Sequence, residues 1–410
     1  HKLNLLPSRH LFFLILLTSV LVNFTITFNC GVHEHSHIEP EFIKVHQDPS
    51  RFLQSDTYEP IRIHVDYSDL QEKEAELEYG FLNKVEEIME ALKESFSALL
   101  KVKPLTSPLI IKNCQGISTI PNEIKNNGVS ADLVLFVVQY TPESSSSTTE
   151  ASAYSCAQEN ETGRPLAGVI SLNTNLVKLG KKNSFDYNYF LIMHEVTHVL
   201  VFNESLFKYF YDTANSRPKT EEETVKKDVV INGVTTNLII SPKVKEVAAS
   251  YFNCPNIEGV ELEAQGGDGS AFSHWEARVM LGDLMIAQSY AEIVLSEITL
   301  ALFEDSGWYQ VNYYTGGLMV WGYHAGCDFV NKKCIEEIAD VRQKYFCTAD
   351  EQRCVVGGRF RGQCQVDRYT DSLPENYQYF DDPNKGGPFS FTDYCPVTNG
   401  ISIGSSEDMF

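Results

Sequence analysis

The feature that most constrains this chain is a pair of histidines placed four residues apart in an apolar run. His194 and His198 lie within 187–202, where apolar residues recur at helical spacing. Residues four apart lie on the same face of a helix, so both imidazoles can reach one zinc ion. Glu195 follows the first histidine, and its carboxylate can take a proton from a metal-bound water without binding the metal. The pattern therefore predicts a helix with two metal ligands and a general base.

A catalytic zinc site needs a third protein ligand and an open position for water. No third histidine stands six residues after His198. We prefer His274, because a glycine-rich stretch at 266–269 precedes it and can deliver a side chain from a distant part of the chain. On spacing alone, Glu276 and His324 stay open as competing ligands.

The first residues have the charge and hydropathy order of a secretory signal peptide. Lys2 and Arg9 precede an apolar run at 11–22, which is shorter than the about 20 residues needed to span a bilayer. We therefore predict a signal peptide over 1–29 and a protein that is secreted or held at the cell surface. A short membrane anchor or a core helix is the alternative. The polar C-terminus, 402–410, does not indicate a membrane anchor, so membrane association is left open.

The cysteines fit the same compartment. Ten are present, and six of them lie after residue 320. In an exported chain they predict a disulfide framework, densest towards the C-terminus. A second zinc site is the alternative, but no two cysteines have the CxxC spacing. Sequons at Asn160 and Asn203 fit an exported glycoprotein.

Length and charge limit the class of protein. The chain has 410 residues, 43% of them hydrophobic, which is enough to bury a core and build more than one lobe. The formal net charge of −22 argues against a nucleic-acid partner, because phosphate binding needs a basic patch. The charge does not identify a substrate.

Hydrophobic periodicity outlines the elements around the histidine motif. It predicts strands at 61–65, 133–138 and 168–172, an apolar-faced helix from Phe81 to Leu99, and a core helix at 291–303. Asn232-Gly233 between two apolar runs predicts a β-hairpin. The Ser/Thr-rich stretch 143–152 is typical of a surface loop. Glycine and cysteine dominate after residue 316, which predicts a disulfide-stabilised lobe.

Three segments together resemble the leishmanolysin family of metzincin metallopeptidases. They are His194-Glu195-Val196-Thr197-His198, Gly269-Ser270-Ala271-Phe272-Ser273-His274-Trp275 and Asp283-Leu284-Met285. The segments 163–170 and 321–329 are also similar to the family, and the likeness extends over roughly 30–400. The resemblance implies an α+β fold with a twisted mixed sheet, an active-site helix, a Cys-rich C-terminal lobe and one catalytic Zn²⁺.

The resemblance also implies roles that spacing does not assign. It implies His274 as the third zinc ligand and Met285 as the Met-turn residue beneath the metal. Cys30, in Cys30-Gly31-Val32-His33-Glu34, would be a latency switch whose thiolate occupies the open zinc position. The alternative is that Cys30 is inert or pairs with another cysteine.

Two features depart from the family pattern. Val201 stands where the family has glycine, so we expect the helix either to run on for another turn or to end at a distorted site. If Cys30 is a switch, nine of the ten cysteines are left and one lacks a partner. The family's Cys-rich lobe also continues beyond this chain, so we hypothesise that the chain is incomplete at its C-terminal end.

The hypothesis for function is a secreted zinc metalloendopeptidase that hydrolyses peptide bonds in protein or peptide substrates, with Glu195 as general base. A strand at the edge of the sheet would bind the substrate in extended form. The alternative is a catalytically impaired, protease-like protein that acts in binding or cell adhesion. The expected divisions are a signal peptide at 1–29, a pro-like segment at 30–60, an N-terminal catalytic subdomain at 61–202, an inserted region at 203–272, a third-ligand and Met-turn region at 273–320, and a Cys-rich lobe at 321–410.

Overall fold

The computed structural model describes most of the chain, namely residues 39–45, 57–141, 149–177, 185–267, 270–288, 290, 292–335, 344–359 and 361–400. The predicted signal peptide, 1–29, and Cys30 lie outside these described residues. The helices are α1 Ser68–Glu72, α2 Phe81–Leu99, α3 Phe185–Leu200, α4 Glu204–Phe207, α5 Pro242–Phe252, α6 Ala277–Met280, α7 Glu297–Asp305 and α8 Cys327–Asn331.

The strands form several small sheets and one central sheet. They are β1 Glu41–Ile43, β2 Glu59–Pro60, β3 Ile63–Asp66, β4 Leu100–Val102, β5 Leu133–Tyr140, β6 Ala151–Glu159, β7 Pro165–Asn173, β8 Tyr211–Asp212, β9 Arg217–Pro218, β10 Val225–Ile231, β11 Val234–Ile239, β12 Val260–Glu261, β13 Gln310–Val311, β14 Glu351–Cys354, β15 Arg361–Cys364, β16 Asp367–Arg368, β17 Lys385–Gly386 and β18 Thr398–Gly400.

The central sheet is mixed, with strand order β1-β6-β7-β5-β3. Strands β3, β5 and β7 run parallel to one another, whereas β6 runs antiparallel to β7 and parallel to β1. Every residue of β7 is buried, which agrees with its continuous apolar sequence. Helices and a mixed sheet in one chain confirm the predicted α+β class.

The strongest periodic segments fold as predicted. Helix α2 spans Phe81–Leu99, and its apolar face is buried at 3- and 4-residue spacing. The apolar run that begins at Leu133 is strand β5 of the central sheet, and the run that begins at Gly168 belongs to β7. The predicted hairpin is also confirmed, since Ile231 pairs with Val234 and both Asn232 and Gly233 have positive φ.

The predicted helix at 291–303 begins too early. Helix α7 begins at Glu297, because the Ser296 side chain caps it by accepting from the backbone N–H of Thr299. Val294, ahead of this cap, is bonded through its main chain to Gly282 and Leu284 and therefore cannot join the helix.

Two further expectations need correction. The predicted loop 143–152 is wrong at its end, because Ala151 and Ser152 are buried in β6, whereas 142–148 lie outside the described residues. The strand expected at 61–65 begins at Ile63, because the N–H of Ile61 donates to Leu100 of β4 instead of joining the central sheet.

The described part of the predicted pro-like segment, 30–60, is paired with strands. Its residues 41–43 form β1, which extends the central sheet beyond β6 by pairing with residues 157–159. The carbonyl of Ile43 accepts from the N–H of Asn160, and the Phe42 ring lies 5.4 Å from that of Tyr209, centroid to centroid. These residues are therefore not a solvated linker.

The predicted disulfide framework is confirmed by four bridges, Cys114–Cys156, Cys254–Cys327, Cys334–Cys395 and Cys347–Cys364. Among the described cysteines, Cys354 is free and exposed on β14. Cys354 therefore has no disulfide partner among the nine described cysteines, and the prediction that Cys30 is a switch lies outside the described residues. In the parts of the chain that the structure describes, no helix has both the length and the apolar character of a membrane span.

The asparagines of the two sequons differ in solvent exposure. Asn160 is exposed in the hairpin between β6 and β7. Asn203 is only 7% exposed, and its side chain caps α4 by accepting from the N–H of Ser205. Of the two asparagines, Asn160 is therefore the more accessible in the folded chain.

Candidate metal centre

Helix α3 carries two of the three site histidines and packs closely on the central sheet. Gly168 of β7 lies against Val199 of the helix. A Cβ atom at this glycine would come within 2.3 Å of Val199 Cγ1 and 2.8 Å of the Tyr154 carbonyl of β6. A residue without a side chain is therefore required here if α3 is to rest on the sheet.

His194, His198 and His274 converge, although the third lies far along the chain. The Nε2 atom of His194 lies 2.9 Å from that of His198 and 3.2 Å from that of His274. All three side chains are buried, with 2%, 0% and 0% exposure. Within the described ranges, they form a group whose ligand atoms all lie within 4.8 Å of one another.

The outward nitrogen of each ring faces a main-chain carbonyl. The Nδ1 atoms lie 2.6 Å from the Leu284 oxygen for His194, 2.6 Å from the Phe202 oxygen for His198, and 2.9 Å from the Ser270 oxygen for His274. A carbonyl can only accept, so each Nδ1 carries a proton, and each Nε2 is the nitrogen that faces the common point and can bind a cation.

The environment favours neutral imidazoles. Burial lowers the pKa of His194 well below its usual value, and the neighbouring His274 lowers it further. Burial does the same to the pKa of His198, with His194 and His274 as further causes. Three neutral nitrogen donors facing one point fit a divalent transition metal such as zinc.

Main-chain hydrogen bonds hold His274 and its neighbour Trp275 in place. Its carbonyl accepts from the N–H of Glu263, and the next residue, Trp275, donates its N–H to the carbonyl of Met285. The indole N–H of Trp275 donates to Thr299 of α7. The third histidine is thus fixed between the end of β12 and the segment that contains Met285.

Met285 itself is fully buried. Its N–H donates to Asp283, whose carboxylate also accepts from the Thr299 hydroxyl. Burial raises the pKa of Asp283 to about 6, against the effect of these hydrogen bonds. Sequence reasoning assigned Asp283 no role, and its partner Thr299 lies in an element that the sequence placed incorrectly.

Glu195 is fully buried, one residue after His194 on α3. Helix α3 ends at Leu200 and does not run on for another turn. The N–H groups of Val201 and Phe202 both donate to the Thr197 carbonyl, and φ at Val201 is not positive. This turn brings the Phe202 carbonyl to His198, so the valine is accommodated without left-handed strain and the three histidines still converge.

The competing ligands are placed elsewhere. His324 is stacked on Tyr323 and belongs to an exposed turn. Glu276 is buried, but its side chain caps α6 by accepting from the N–H of Arg278. The structure therefore brings His274, and neither of these two, to the histidine pair.

A buried acidic cluster lies behind the third histidine. It consists of Glu261, Glu263, Glu276 and Asp393 around Arg278, all of them buried. The Arg278 guanidinium lies 2.5 Å from Glu261 and 3.5 Å from Asp393 of the C-terminal part of the chain. Burial raises the pKa of Glu261 to about 7, although Arg278 opposes this shift. Sequence reasoning did not find this cluster.

A small, mainly apolar recess opens next to His194. Its walls come from α3 and from the segment after the third histidine, with lining residues Tyr187, Phe190, Leu191, His194, Asp283, Leu284, Ile286, Gln288 and Ile293.

The fold and the site define the class: an α+β protein with a three-histidine site whose first two histidines come from one HExxH helix. The family model described as Peptidase_M8, leishmanolysin, matches residues 83–408. The chain belongs to the leishmanolysin family, as its sequence motifs predict.

Individual relatives agree with this assignment. A leishmanolysin-like peptidase of Drosophila melanogaster is 30% identical over 334 residues, which cover 70% of this chain and 48% of the relative. A leishmanolysin homolog of Crithidia fasciculata is 32% identical over 70% of this chain and 42% of the relative. Leishmanolysin of Leishmania tropica is 34% identical over 52% of this chain and 31% of the relative. The chain thus spans about half the length, or less, of these curated relatives.

Proposed function

We propose that this chain is a secreted zinc metalloendopeptidase of metzincin type that hydrolyses peptide bonds in proteins and peptides. The observation that supports this most is the convergence of the His194, His198 and His274 Nε2 atoms beside the buried Glu195, in a chain of the leishmanolysin family. Three nitrogen ligands leave a coordination position open on a zinc ion.

His194, His198 and His274 would hold one zinc ion, which, when bound, supplies Lewis acidity to the scissile carbonyl and lowers the pKa of water. Glu195 takes the proton of the attacking water and returns it to the leaving amine. The carbonyls of Leu284, Phe202 and Ser270 keep the rings oriented during this transfer. Met285 forms the apolar floor of the site.

The central sheet offers a place for an extended substrate. Residues 157–159 of β6 are paired with β1, but the outer edge of 151–156 has no strand partner among the described residues. A substrate in extended form would add along this part of β6 as an extra strand. The Tyr154 carbonyl of this stretch lies against Gly168, where α3 packs on the sheet.

The remaining assignments complete the proposal. The lobe 321–410 is the Cys-rich lobe, and the chain divides at the boundaries expected from its sequence. Cys30 acts as a latency switch by placing its thiolate on the metal, and export accounts for the disulfides. The binding or adhesion alternative is not favoured, because a protein with that role alone would not need the base and the three ligands together.

The first test is the zinc content and casein hydrolysis of the purified protein, with and without a chelator. Glu195→Ala should lower hydrolysis by about 10²- to 10⁴-fold while one zinc per chain is retained, since this residue moves protons and does not bind the metal. His274→Ala should lose zinc on dialysis, and His324→Asn, which tolerates the positive φ there, should keep both zinc and activity. Hydrolysis by Glu195→Ala at the wild-type rate, or no zinc in the wild type, would overturn the proposal.

A further inference from the structure

Glu292 lies between Met285 and helix α7, and its side chain is held by a distant part of the chain. Its Oε2 atom accepts from the N–H of Gly357 at 2.9 Å, and its Oε1 atom accepts from the N–H of Arg359 at 3.1 Å. Both donors belong to the connection between β14 and β15. Because both carboxylate oxygens are used, the two bonds fix the direction of the side chain as well as its position.

A second contact joins the same two regions of the molecule. The hydroxyl of Tyr290, a buried residue, donates to the carbonyl of Thr398 in β18 at 3.0 Å. Strand β18 pairs with β15, and β15 pairs with β14, so both contacts come from one three-stranded sheet. The sheet β14-β15-β18 therefore holds the chain after Met285 at Tyr290 and again at Glu292.

The main chain just after Glu292 leads to a metal-binding histidine. The N–H of Val294, two residues further on, donates to the Gly282 carbonyl at 2.8 Å, and the Val294 carbonyl accepts from the N–H of Leu284 at 2.7 Å. The carbonyl of Leu284 faces Nδ1 of His194 at 2.6 Å. The orientation of the His194 ring therefore depends on where Val294 holds Leu284.

We propose that Glu292 is a positioning residue for His194, acting through Val294 and Leu284, and that the sheet β14-β15-β18 thereby contributes to metal affinity. The inference rests on the proposed function, because it requires the three histidines to bind zinc. Loss of a group that orients a metal-binding histidine typically weakens metal binding by about 10- to 100-fold. Glu292 acts from further away than the Leu284 carbonyl, so we expect about tenfold, the lower end of this range.

Two substitutions break this contact from opposite sides. Glu292→Ala removes both acceptor oxygens. Gly357→Ala leaves the chain around Glu292 unchanged, but its Cβ atom would overlap the Glu292 carboxylate and displace it, and φ at Gly357 is not positive, so alanine suits the main chain there. The matched controls are Glu351→Ala, at an exposed position of β14, and Gly358→Asn, where φ is +73° and a Cβ atom would meet nothing within 4 Å.

Zinc affinity is measured by competition with a chelator, and the visible absorption of bound Co²⁺ reports the geometry of its ligands. In Glu292→Ala and Gly357→Ala the zinc dissociation constant should rise about tenfold and the cobalt spectrum should change, whereas both should keep their wild-type values in the two controls. Thermal melts of the metal-free proteins show which variants fold. Glu292→Gln keeps one acceptor oxygen and should give an intermediate dissociation constant, so it serves as the test if Glu292→Ala does not fold.

The outcomes separate this inference from the proposed function. A wild-type zinc dissociation constant or a wild-type cobalt spectrum in the folded Glu292 and Gly357 variants would overturn the inference and leave the proposed function intact, because Glu292 would then only attach the sheet. A wild type that binds zinc without hydrolysing casein would overturn the proposed function, and weaker zinc binding with a changed cobalt spectrum in the variants would still support the inference. A wild type that binds no zinc would overturn both.

Discussion

The histidine centre and the acidic cluster are neighbours, and both are buried, but their charges are balanced in opposite ways. The centre has three neutral rings whose outer nitrogens are fixed by main-chain carbonyls, so a cation has to come from outside. The cluster brings its own cation, because Arg278 lies between Glu261 and Asp393. The two are linked at the main chain, since the N–H of Glu263 donates to the carbonyl of His274. The histidine centre, which takes its cation from outside, is thus hydrogen-bonded to a cluster that already contains its own cation, Arg278.

Removing the internal cation should have the largest effect on stability. Arg278→Met leaves buried carboxylates without a counter-charge, and we expect the free energy of unfolding to fall by about 3–5 kcal/mol. Chemical denaturation of the metal-loaded protein measures this change. The matched control is Arg368→Met, because Arg368 pairs with Asp382 while its side chain is 71% exposed, and we expect a change of about 0–1 kcal/mol. Equal effects of the two substitutions would show that the cluster does not depend on its arginine.

Removing zinc should lower the free energy of unfolding by a smaller amount, which depends on the concentration of free zinc. With free zinc 100-fold above its dissociation constant, binding to the folded state should add about 2.7 kcal/mol to the free energy of unfolding. Thermal melts with zinc and with a chelator measure the difference. His274→Ala should remove most of this zinc-dependent gain, because two ligands from one helix turn bind more weakly than three. A gain of the same size in His274→Ala would show that the zinc acts at another site.

The acidic cluster should also make stability depend on pH. The pKa of Glu261 is raised to about 7 in the folded protein, above its usual value near 4.3. Between these two values the folded state holds the extra proton, so the free energy of unfolding should fall as pH rises from about 4.3 to about 7. The contribution of this residue is at most on the order of 4 kcal/mol. Chemical denaturation at several pH values gives the free energy of unfolding as a function of pH, and this dependence should be weaker for Glu261→Gln. An unchanged pH dependence would contradict the role of Glu261.

The histidine centre and the acidic cluster also differ in how far the sequence predicts them. His194 and His198 are found from local spacing, because one helix turn places them together whatever the rest of the chain does. His274 is one of three candidates by spacing, is preferred for the glycine-rich stretch before it, and is implied as the third ligand by the family resemblance. The acidic cluster has no sequence signal, since Arg278 and Asp393 meet only when α6 packs against the C-terminal part of the chain.

The errors at secondary structure boundaries have a similar origin. The apolar pattern before α7 is real, but Val294 is held by main-chain bonds to Gly282 and Leu284, and these contacts come from distant residues. Strand β1 was not predicted as a strand because its three residues gain order from β6 and not from their own propensity. Long, strongly periodic segments such as α2 and β5 are predicted well, because burial of their apolar residues determines their structure.

Gly168 has a consequence for how sequence changes in this region are interpreted. The methyl groups of Val199 occupy the space where any side chain at position 168 would lie, so even alanine would push α3 away from the sheet. His198, one residue before Val199, would move with the helix. The most exacting requirement on the placement of the ligands is therefore met by a residue that has no functional group, and a survey that scores only chemically reactive positions would overlook it.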